Sequence, residues 1–471
     1  MQYSTKLTST LKEIATRCGI PGLGVGIVKE GEIVYAKGFG VQSLDTRAPV
    51  TLDSVFCLAS IAKCFVASAV MQLVEHGKIQ LDTPLVEYLP YFKLDDDRYV
   101  KITTRQILSH TSGMPDMDEY EYEELVSHPE TDEGAAERYV RSLTNRKLIA
   151  APGEKSAYSN IAYNVLGDLI AKVSGQTFED YLKEHLLLPA GMPDSTFWFA
   201  EVDQQRLAVP HLCIPEMIVN PVYPYHRADS PASFLHSTIG DMCRWGITCL
   251  NRGSYGGQQI LTPASYDLMW APVAELGYPP FYEQIGLGWV LGHYEGVKTV
   301  SHGGMGFGWA CFFTLLPEAN CAAIILCNAE TEARSRLIRA VVDAMLDRQP
   351  LPGMVSWVVP ICQALQEGGI RAAYACYAEL KNSASAEYEI DEDALINLTY
   401  QLMSVKKLDL TVEVLNLNIH AFPEYLGSYI YLAKLYLQKG ERAQAEETLK
   451  KALEIKPDST AVVKLLEEVQ R

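Results

Sequence analysis

The sequence predicts an α+β fold in which helices flank an antiparallel sheet and form an insertion within it, followed by an all-α repeat domain. Apolar residues 22–28 and 33–38 flank Glu30 and Gly31, a pattern typical of a β-hairpin. After a long helical stretch, strand-like segments return at residues 286–291, 297–301 and 309–327. This order predicts a sheet made from both ends of one domain, with helices inserted between them.

The C-terminal part of the sequence predicts helices that repeat. Pro423 and Pro457 lie 34 residues apart, with small and aromatic residues between them, which resembles a tetratricopeptide repeat. A weaker copy covers residues 397–422, and a generic helical hairpin is the alternative interpretation. We predict a first domain at residues 1–350, a helical connector at residues 351–388 and repeats at residues 389–471.

Charge and repeat number limit the partners. The 471 residues include 40 Lys and Arg against 58 Asp and Glu, a formal charge of −18, which disfavours nucleic acids and anionic membrane surfaces. About two repeats bury too little apolar surface to stand alone. We therefore expect the repeats to contact the first domain, a protein partner or a second copy of the chain.

Other patterns bear on compartment and cofactors. Residues 1–17 carry Lys6, Lys12 and Glu13 on a helical pattern, which argues against a signal peptide, and the apolar stretches predict no membrane span. Eleven cysteines without a Cys-x-x-Cys pair indicate reduced thiols in a cytoplasmic protein. The ten histidines form neither His-x-x-x-His nor His-Glu-x-x-His, so we expect no metal and no cofactor.

Ser60-Ile61-Ala62-Lys63 is the first of three polar motifs. It lies in an apolar, helical stretch, so Lys63 follows Ser60 by one turn and its amine can reach the serine oxygen. The same spacing occurs at Ser9 and Ser404, on ordinary amphipathic helices. Context therefore favours Ser60 as the nucleophile, with Lys63 as its base.

Tyr158-Ser159-Asn160 is the second motif. It follows a turn signal at residues 151–154 and precedes an amphipathic helix at residues 161–169. A loop tyrosine beside a lysine can relay a proton, and the Asn160 amide can bind both the lysine and a substrate carbonyl. The alternative interpretation is a buried tyrosine with Asn160 as a helix N-cap.

His302-Gly303-Gly304 is the third motif. It lies between residues 297–301 and an apolar stretch at residues 309–316, and we interpret it as the exposed start of a core strand. Glycines there allow a substrate to approach, and the amide of the next residue, Met305, can donate to an oxyanion. A β-bulge with an incidental histidine is the alternative.

With these motifs the sequence resembles the serine β-lactamase and penicillin-binding-protein superfamily, in its class C-like branch. The resemblance covers roughly residues 1–350 and implies a β-lactamase/transpeptidase-like fold. Further matching segments are Ile20-Pro21-Gly22, Leu108-Ser109-His110-Thr111-Ser112-Gly113, the residues after Asn160 up to Gly167, and Pro189-Ala190-Gly191-Met192.

The resemblance also implies roles for the site residues. Ser60 would be the acylated nucleophile, Lys63 its base partner and Tyr158 the proton relay. Asn160 would hold Lys63 and the substrate. The backbone amides of Ser60 and Met305 would form the oxyanion hole.

His302 departs from the pattern, because Lys-Thr-Gly stands at this place in β-lactamases. A histidine near its reference pKa is largely neutral at pH 7 and offers no fixed cation for a substrate carboxylate. We therefore predict a serine hydrolase that acts through an acyl-enzyme on esters or small amides. Alternatives are a D-aminopeptidase or DD-carboxypeptidase on D-amino-acid peptides, and a non-catalytic scaffold that binds a partner through the repeats.

One acidic, aromatic segment, residues 116–124, follows the Thr111-Ser112-Gly113 turn. Such a run is usually a solvated surface. Because it follows an element expected beside the site, a lid that prefers amine-bearing substrates is the second interpretation.

Overall fold

The computed structural model describes residues 4–117, 119–382 and 387–470, and gives only the backbone of residues 4, 119, 120 and 123. The chain forms two compact units. The first contains the N-terminal residues up to Thr16, then residues 20–211 and 219–352. The second contains residues 17–19, residues 212–218 and the chain from Gly353 onward.

Strands occur along most of the described part of the chain. They are β1 Gly22–Lys29, β2 Glu32–Gly40, β3 Phe56–Cys57, β4 His211–Cys213, β5 Met217–Val219, β6 His236–Ser237, β7 Ser254–Tyr255, β8 Gln258–Gln259, β9 Ala274–Tyr278, β10 Tyr282–Ile285, β11 Val290–Tyr294, β12 Val297–Gly306, β13 Trp309–Leu316, β14 Cys321–Cys327, β15 Val355–Ser356 and β16 Tyr388–Glu389.

Helices lie between these strands and beyond them in the chain. They are α1 Ser4–Arg17, α2 Ala62–Glu75, α3 Thr104–Leu108, α4 Glu119–Ser127, α5 Ala135–Ser142, α6 Asn160–Ser174, α7 Phe178–Leu182, α8 Ser230–Ser233, α9 Ile239–Leu250, α10 Pro263–Met269, α11 Ala333–Met345, α12 Val358–Asn382, α13 Ala394–Ser404, α14 Leu408–Ala421, α15 Leu426–Gln438, α16 Arg442–Ile455 and α17 Thr460–Gln470. Gly368 and Gly369 interrupt α12 with non-helical backbone angles.

The first unit is built on one antiparallel sheet in the order β2-β1-β14-β13-β12-β11-β10-β9. Strands from the two ends of the unit meet where β1 pairs with β14, with Val25 opposite Ile325. The helices α2 to α10 lie between β2 and β9 in the chain. The predicted α+β fold, a sheet from both ends with a helical insertion, is therefore confirmed.

The central strands are buried because helices cover them. Every residue of β13 and β14 is buried, and helix α9 packs on β1 and β14. A Cβ atom at Gly24 would come within 2.8 Å of Ile239, and one at Gly26 within 2.6 Å of Cys243. The glycines in β1 therefore allow α9 to approach the sheet closely.

The sheet differs in detail from the predicted strands. Residues 286–289 lie outside the strands, and residues 309–327 form two strands separated by a short turn. The edge strand β9 and its neighbour β10 were not predicted, because their sequences are polar and partly exposed and lack a clear period-two pattern.

The second unit contains consecutive helices, and each helix from α13 to α16 contacts the next one. Helices α15 and α16 enclose a core that includes Tyr429, Ala433 and Leu449. A left-handed glycine, Gly440, ends the turn between them. No helix within the described ranges is long and apolar enough to cross a bilayer.

Candidate active site

Ser60 lies in a buried turn that leads into helix α2. The strand β3 ends at Cys57, and a 3₁₀ turn at Ala59–Ile61 precedes the helix. Ala59 has a left-handed φ of +47°, a conformation that costs a non-glycine residue of the order of 1 kcal/mol or more. Ala59 and Ile61, the neighbours of Ser60, are buried, whereas Ser60 is partly exposed. The turn therefore presents the Ser60 hydroxyl at the edge of the core.

Lys63 lies one turn after Ser60, as the spacing predicted. Its side chain is fully buried. Its Nζ lies 3.1 Å from Ser60 Oγ, and it donates to Asn160 Oδ1 at 2.7 Å and to the Ala232 carbonyl oxygen at 2.7 Å. A neutral amine has two N–H groups and one lone pair. With both N–H groups held by acceptors that cannot donate, the lone pair is left to face the Ser60 hydroxyl.

The environment of Lys63 favours that neutral form. Burial lowers the pKa of the Lys63 amine to about 7, and the charges of Asp229 and Asp116 oppose this shift. A neutral amine is thus available near pH 7, where an exposed lysine would remain charged. The arrangement therefore makes the lone pair of a neutral amine available 3.1 Å from Ser60 Oγ.

Asn160 is the first residue of α6, and Ser159 is the N-cap. Ser159 Oγ accepts from the Ala162 amide at 3.0 Å, so the interpretation of Asn160 as the cap is wrong. The Asn160 side chain is therefore free to bind Lys63. Asp116 fixes its orientation, because Asp116 accepts from Asn160 N at 2.7 Å and from Asn160 Nδ2 at 3.1 Å.

The acidic segment at residues 116–124 contributes Asp116 to the site. Burial raises the pKa of Asp116, and the Asn160 amide opposes that shift. The ring of Tyr122 stacks on Phe307 at a centroid distance of 4.3 Å. Position 118 and the side chains at 119, 120 and 123 lie outside the described residues, so the lid interpretation stays a prediction.

Tyr158 lies directly beside Ser60 and Lys63. It is 44% exposed, so the interpretation of a buried tyrosine is wrong. Its hydroxyl nevertheless interacts with Ser60, and burial at that end raises the pKa of Tyr158, an effect that the hydrogen bond with Ser60 opposes. The Lys63 Nζ lies 4.9 Å from the ring centroid. A tyrosine that remains protonated here can donate a proton to a leaving group.

His110 supports Tyr158 from behind. The two rings stack with centroids 4.2 Å apart, and His110 Nδ1 accepts from the Ser159 amide at 3.2 Å. Burial lowers the pKa of His110 well below its ordinary value, and the charge of Lys63 adds to this effect. His110 is therefore a neutral support for the loop that carries the second motif.

The third motif lies inside β12 and not at the exposed start of the next strand, so that prediction is wrong. His302 is opposite Phe313 and Gly304 is opposite Cys311 in β13. A side chain at Gly304 would overlap the Leu58 carbonyl oxygen, and its Cβ would lie 3.0 Å from the Ser60 nitrogen. Glycine at position 304 therefore allows β12 to pack closely against the Ser60 turn. Met305 is the next residue of β12.

His302 is neutral in this site. Its Nδ1 lies 2.7 Å from the Gly303 carbonyl oxygen, which can only accept, so Nδ1 carries the proton and Nε2 is an acceptor. Burial lowers the pKa of His302 to about 3, and the positive charges of Lys63 and Arg334 contribute. Position 302 therefore offers no cation to a substrate.

Arg334 and Tyr282 flank the remaining glycine of the motif. A Cβ at Gly303 would overlap the Tyr282 hydroxyl and would lie 3.0 Å from Arg334 Nη1. Arg334 Nε is buried without a hydrogen-bond partner in the described part of the chain. Sequence reasoning missed both residues, because they are distant from the motif along the chain and belong to no recognisable spacing.

Asp229 and Asn164 form a second layer behind Lys63, which sequence reasoning also missed. Asn164 follows Asn160 by one turn of α6, and its Nδ2 donates to Asp229 Oδ1 at 2.7 Å. Asp229 is 1% exposed. Burial raises its pKa to about 7, and the hydrogen bond from Asn164 and the charge of Lys63 oppose this rise. In its ionised form, the Asp229 carboxylate raises the pKa of Lys63.

Comparison with known proteins identifies the family. The β-lactamase family model matches residues 7–346. The chain belongs to the β-lactamase family. A tetratricopeptide-repeat model matches residues 413–469, which confirms the repeat resemblance in the C-terminal part.

This β-lactamase-family chain is similar in sequence to two bacterial proteins. The chain is 28% identical to penicillin-binding protein 4 of Amycolatopsis lactamdurans over 324 residues, which cover 67% of this chain and 82% of the relative. It is 25% identical to Protein flp of Staphylococcus aureus strain MW2 over 320 residues, 68% of this chain. The chain spans only 62% of the length of Protein flp.

Solved structures show the same fold. The octameric penicillin-binding protein homologue from Pyrococcus abyssi matches with a TM-score of 0.65 and 26% identity, over 77% of this chain and 81% of that chain. The D-amino acid amidase from Ochrobactrum anthropi SV3 matches with a TM-score of 0.61 and 21% identity, over 74% of this chain and 99% of that chain. At that identity the second likeness concerns the fold alone.

Proposed function

We propose that this β-lactamase-family chain is a serine hydrolase that cleaves esters or small amides through an acyl-enzyme on Ser60. The observation that carries the proposal is the environment of Lys63. Its amine is buried, has a pKa of about 7, lies 3.1 Å from Ser60 Oγ and donates to Asn160 and Ala232. A lysine held in this way is an ordered base beside a nucleophile.

In the proposed mechanism, neutral Lys63 accepts the proton of Ser60 as Oγ attacks the carbonyl carbon of the substrate. The backbone amides of Ser60 and Met305 donate to the oxyanion that forms. Tyr158 gives its hydroxyl proton to the leaving group and regains a proton from Lys63. Water then attacks the acyl-enzyme with the same groups acting in reverse, which returns the proton to Ser60.

The polarity of the site supports esters and neutral amides as substrates. His302 is neutral, with Nε2 as an acceptor, where a lysine would bind a substrate carboxylate. A cation, Arg334, lies near the motif, but it is beside Gly303 and not at position 302. We propose that His302 accepts from a donor group of the substrate and that acyl groups without an adjacent carboxylate bind best.

The second candidate function is cleavage of D-amino-acid amides or peptides, as by a D-aminopeptidase or DD-carboxypeptidase. Asp116, whose carboxyl group contacts Asn160 beside Lys63, favours it because a carboxylate there would attract an amine-bearing substrate. The relation to penicillin-binding protein 4 and the fold shared with a D-amino acid amidase are consistent with this candidate.

The two candidates are distinguished by a substrate panel. Short-chain p-nitrophenyl esters are compared with D- and L-amino-acid p-nitroanilides, using the wild-type chain, Ser60→Ala and Ser404→Ala. Ester turnover that requires Ser60 but not Ser404 supports the first candidate. Efficient turnover of D-anilides with weak ester turnover supports the second, and no Ser60-dependent turnover of any member contradicts both.

The division of labour along the chain is a further part of the proposal. Residues 1–350 hold the chemistry, residues 351–388 connect, and residues 389–471 bind a protein partner or a second copy of the chain. The matched repeat model at residues 413–469 supports the last assignment. A purely non-catalytic scaffold is less well supported, because Lys63 Nζ lies 3.1 Å from Ser60 Oγ and 4.9 Å from the centroid of the Tyr158 ring.

A further inference from the structure

Two thiols in the second unit lie in direct contact. Cys213 belongs to the segment of residues 212–218, and Cys362 belongs to helix α12. Their sulfur atoms are 3.5 Å apart, although the residues are separated by 149 positions in the sequence. Neither cysteine belongs to the site around Ser60, whose residues lie in the first unit.

The surrounding structure holds Cys213 in place on both sides. Its backbone N–H donates to Gln401 Oε1 at 2.7 Å, and the carbonyl oxygen of the next residue, Ile214, accepts from Lys407 Nζ at 2.9 Å. Leu212 and Ile214 are buried in the same apolar core as Cys362. A disulfide would need the sulfur atoms to approach by about 1.5 Å more, since S–S bonds are near 2.05 Å.

The two thiols differ in exposure to solvent. Cys213 is partly exposed, whereas Cys362 is 5% exposed. The hydrogen bond with Cys362 lowers the pKa of Cys213, while that contact and burial raise the pKa of Cys362. Because thiolates are the form that reacts with oxidants, Cys213 is the group prepared to react first.

We propose that Cys213 and Cys362 form an oxidisable dithiol that a hydroperoxide converts into a disulfide. The Cys213 thiolate attacks the outer peroxide oxygen, the O–O bond breaks, and sulfenic acid and water (an alcohol for an organic peroxide) result. Cys362 then attacks the Cys213 sulfur, the S–O bond breaks, and water leaves. Together the two thiols lose two protons and two electrons, and the peroxide accepts both as its O–O bond is reduced to two waters, or to one water and one alcohol.

This modification would fix residues 212–218 to helix α12 covalently. The segment lies in the middle of the stretch that matches the β-lactamase family, yet it belongs to the second unit. With both thiols reduced, residues 212–218 are held in the second unit by the core around Leu212 and by hydrogen bonds such as those from Cys213 N and to the Ile214 carbonyl oxygen. A disulfide would make the attachment dependent on the redox state, and thiols such as glutathione would reverse it.

The test treats the full chain with hydrogen peroxide, blocks remaining thiols with N-ethylmaleimide and maps the digest by mass spectrometry. We expect a crosslinked peptide pair joining Cys213 to Cys362, an intact mass lower by two hydrogen atoms, and reversal by dithiothreitol. The control thiol is Cys376, which is also partly exposed but whose pKa burial raises. Oxidation should be at least about tenfold faster at Cys213, because attack requires the thiolate.

Two variants test the order of the steps. In Cys362→Ser, the peroxide should leave a sulfenic acid on Cys213 that dimedone traps, and in Cys213→Ser, Cys362 should remain a thiol. The proposal is overturned if the wild-type chain yields no Cys213–Cys362 crosslink at a dose that oxidises Cys376. A dimedone adduct on Cys362 in Cys213→Ser, with none on Cys213 in Cys362→Ser, would overturn the assignment of Cys213 as the attacking thiol.

Discussion

The Ser-x-x-Lys spacing occurs in both units, at Ser60 and Lys63 and at Ser404 and Lys407, with different surroundings. In the first unit, Lys63 is fully buried and its Nζ lies 3.1 Å from Ser60 Oγ. In the second unit, Ser404 is exposed and donates to the Gln401 carbonyl oxygen at 2.9 Å. Lys407 donates to the Ile214 carbonyl oxygen, also at 2.9 Å.

The two places differ in whether the surroundings favour a neutral lysine beside the serine. Helical spacing brings a lysine within reach of a serine in either place. Only around Lys63 do burial and two carbonyl-type acceptors favour a neutral amine that faces the hydroxyl. Ser9, the third match, is likewise exposed and donates to the Lys6 carbonyl oxygen. Each prediction below tests whether this difference in environment governs activity.

The largest effect is expected from removing the base. Lys63→Ala should lower kcat/KM for a p-nitrophenyl ester by about two to four orders of magnitude, the usual worth of a general base. Lys407→Ala is the matched control and should keep wild-type turnover. Comparable losses in both variants would mean that the two motifs do not differ as described.

The proton relay should have the next largest effect. Tyr158→Phe removes the hydroxyl beside Ser60 but keeps the ring that stacks on His110. We expect kcat to fall about a hundredfold for substrates with poor leaving groups, and less for p-nitrophenyl esters, whose leaving group needs little protonation. Steady-state kinetics with both leaving groups measures this, and equal losses would argue against proton donation by Tyr158.

A change at His302 should alter selectivity more than rate. His302→Lys introduces a cation beside the site, and a charge-assisted hydrogen bond is worth about 1.5 kcal/mol or more, so the ratio of carboxylate-bearing to neutral substrates should rise about tenfold. His302→Gln, which stays neutral, is the control. The account of His302 is wrong if nitrocefin is already hydrolysed by the wild-type chain as efficiently as a short-chain ester, or if lysine leaves the ratio unchanged.

The smallest effect is expected at Asp229. Acylation requires neutral Lys63, so the rate should rise with pH through a pKa of about 7 and then level off. The charge of Asp229 raises the pKa of Lys63, so Asp229→Asn should move this rise to lower pH, by about one unit. Asp168→Asn, at a buried carboxylate that accepts from Tyr91, is the control and should leave the profile in place. A shift to higher pH would contradict the assignment.

The parts of the site that could be predicted are those that short spacings encode. Lys63 follows Ser60 by one helical turn, and Asn160 lies at the start of an evident helix, so their positions were predictable from periodicity. Asp229, Arg334 and Tyr282 reach the site only through tertiary packing, and no local pattern marks them.

The features that were predicted wrongly, or not at all, also have physical explanations. Glycines at 303 and 304 suggested exposure, but Gly304 is needed because β12 packs against the backbone of the Ser60 turn. In the second unit, the 34-residue pattern predicted the helices α15 and α16, whereas nothing in residues 212–218 indicated that they would join that unit. Periodic patterns reveal elements, and the partners of a short irregular segment depend on the whole fold.

The central claim, that Ser60 is the nucleophile because of its environment, is tested most directly by covalent labelling. The full chain is treated with a fluorophosphonate and examined by intact-mass spectrometry and peptide mapping, alongside Ser60→Ala and Ser404→Ala. The account predicts one adduct, on Ser60, in the wild-type chain and in Ser404→Ala, and none in Ser60→Ala. An adduct mapped to Ser9, Ser404 or another serine, or undiminished labelling of Ser60→Ala, would contradict it.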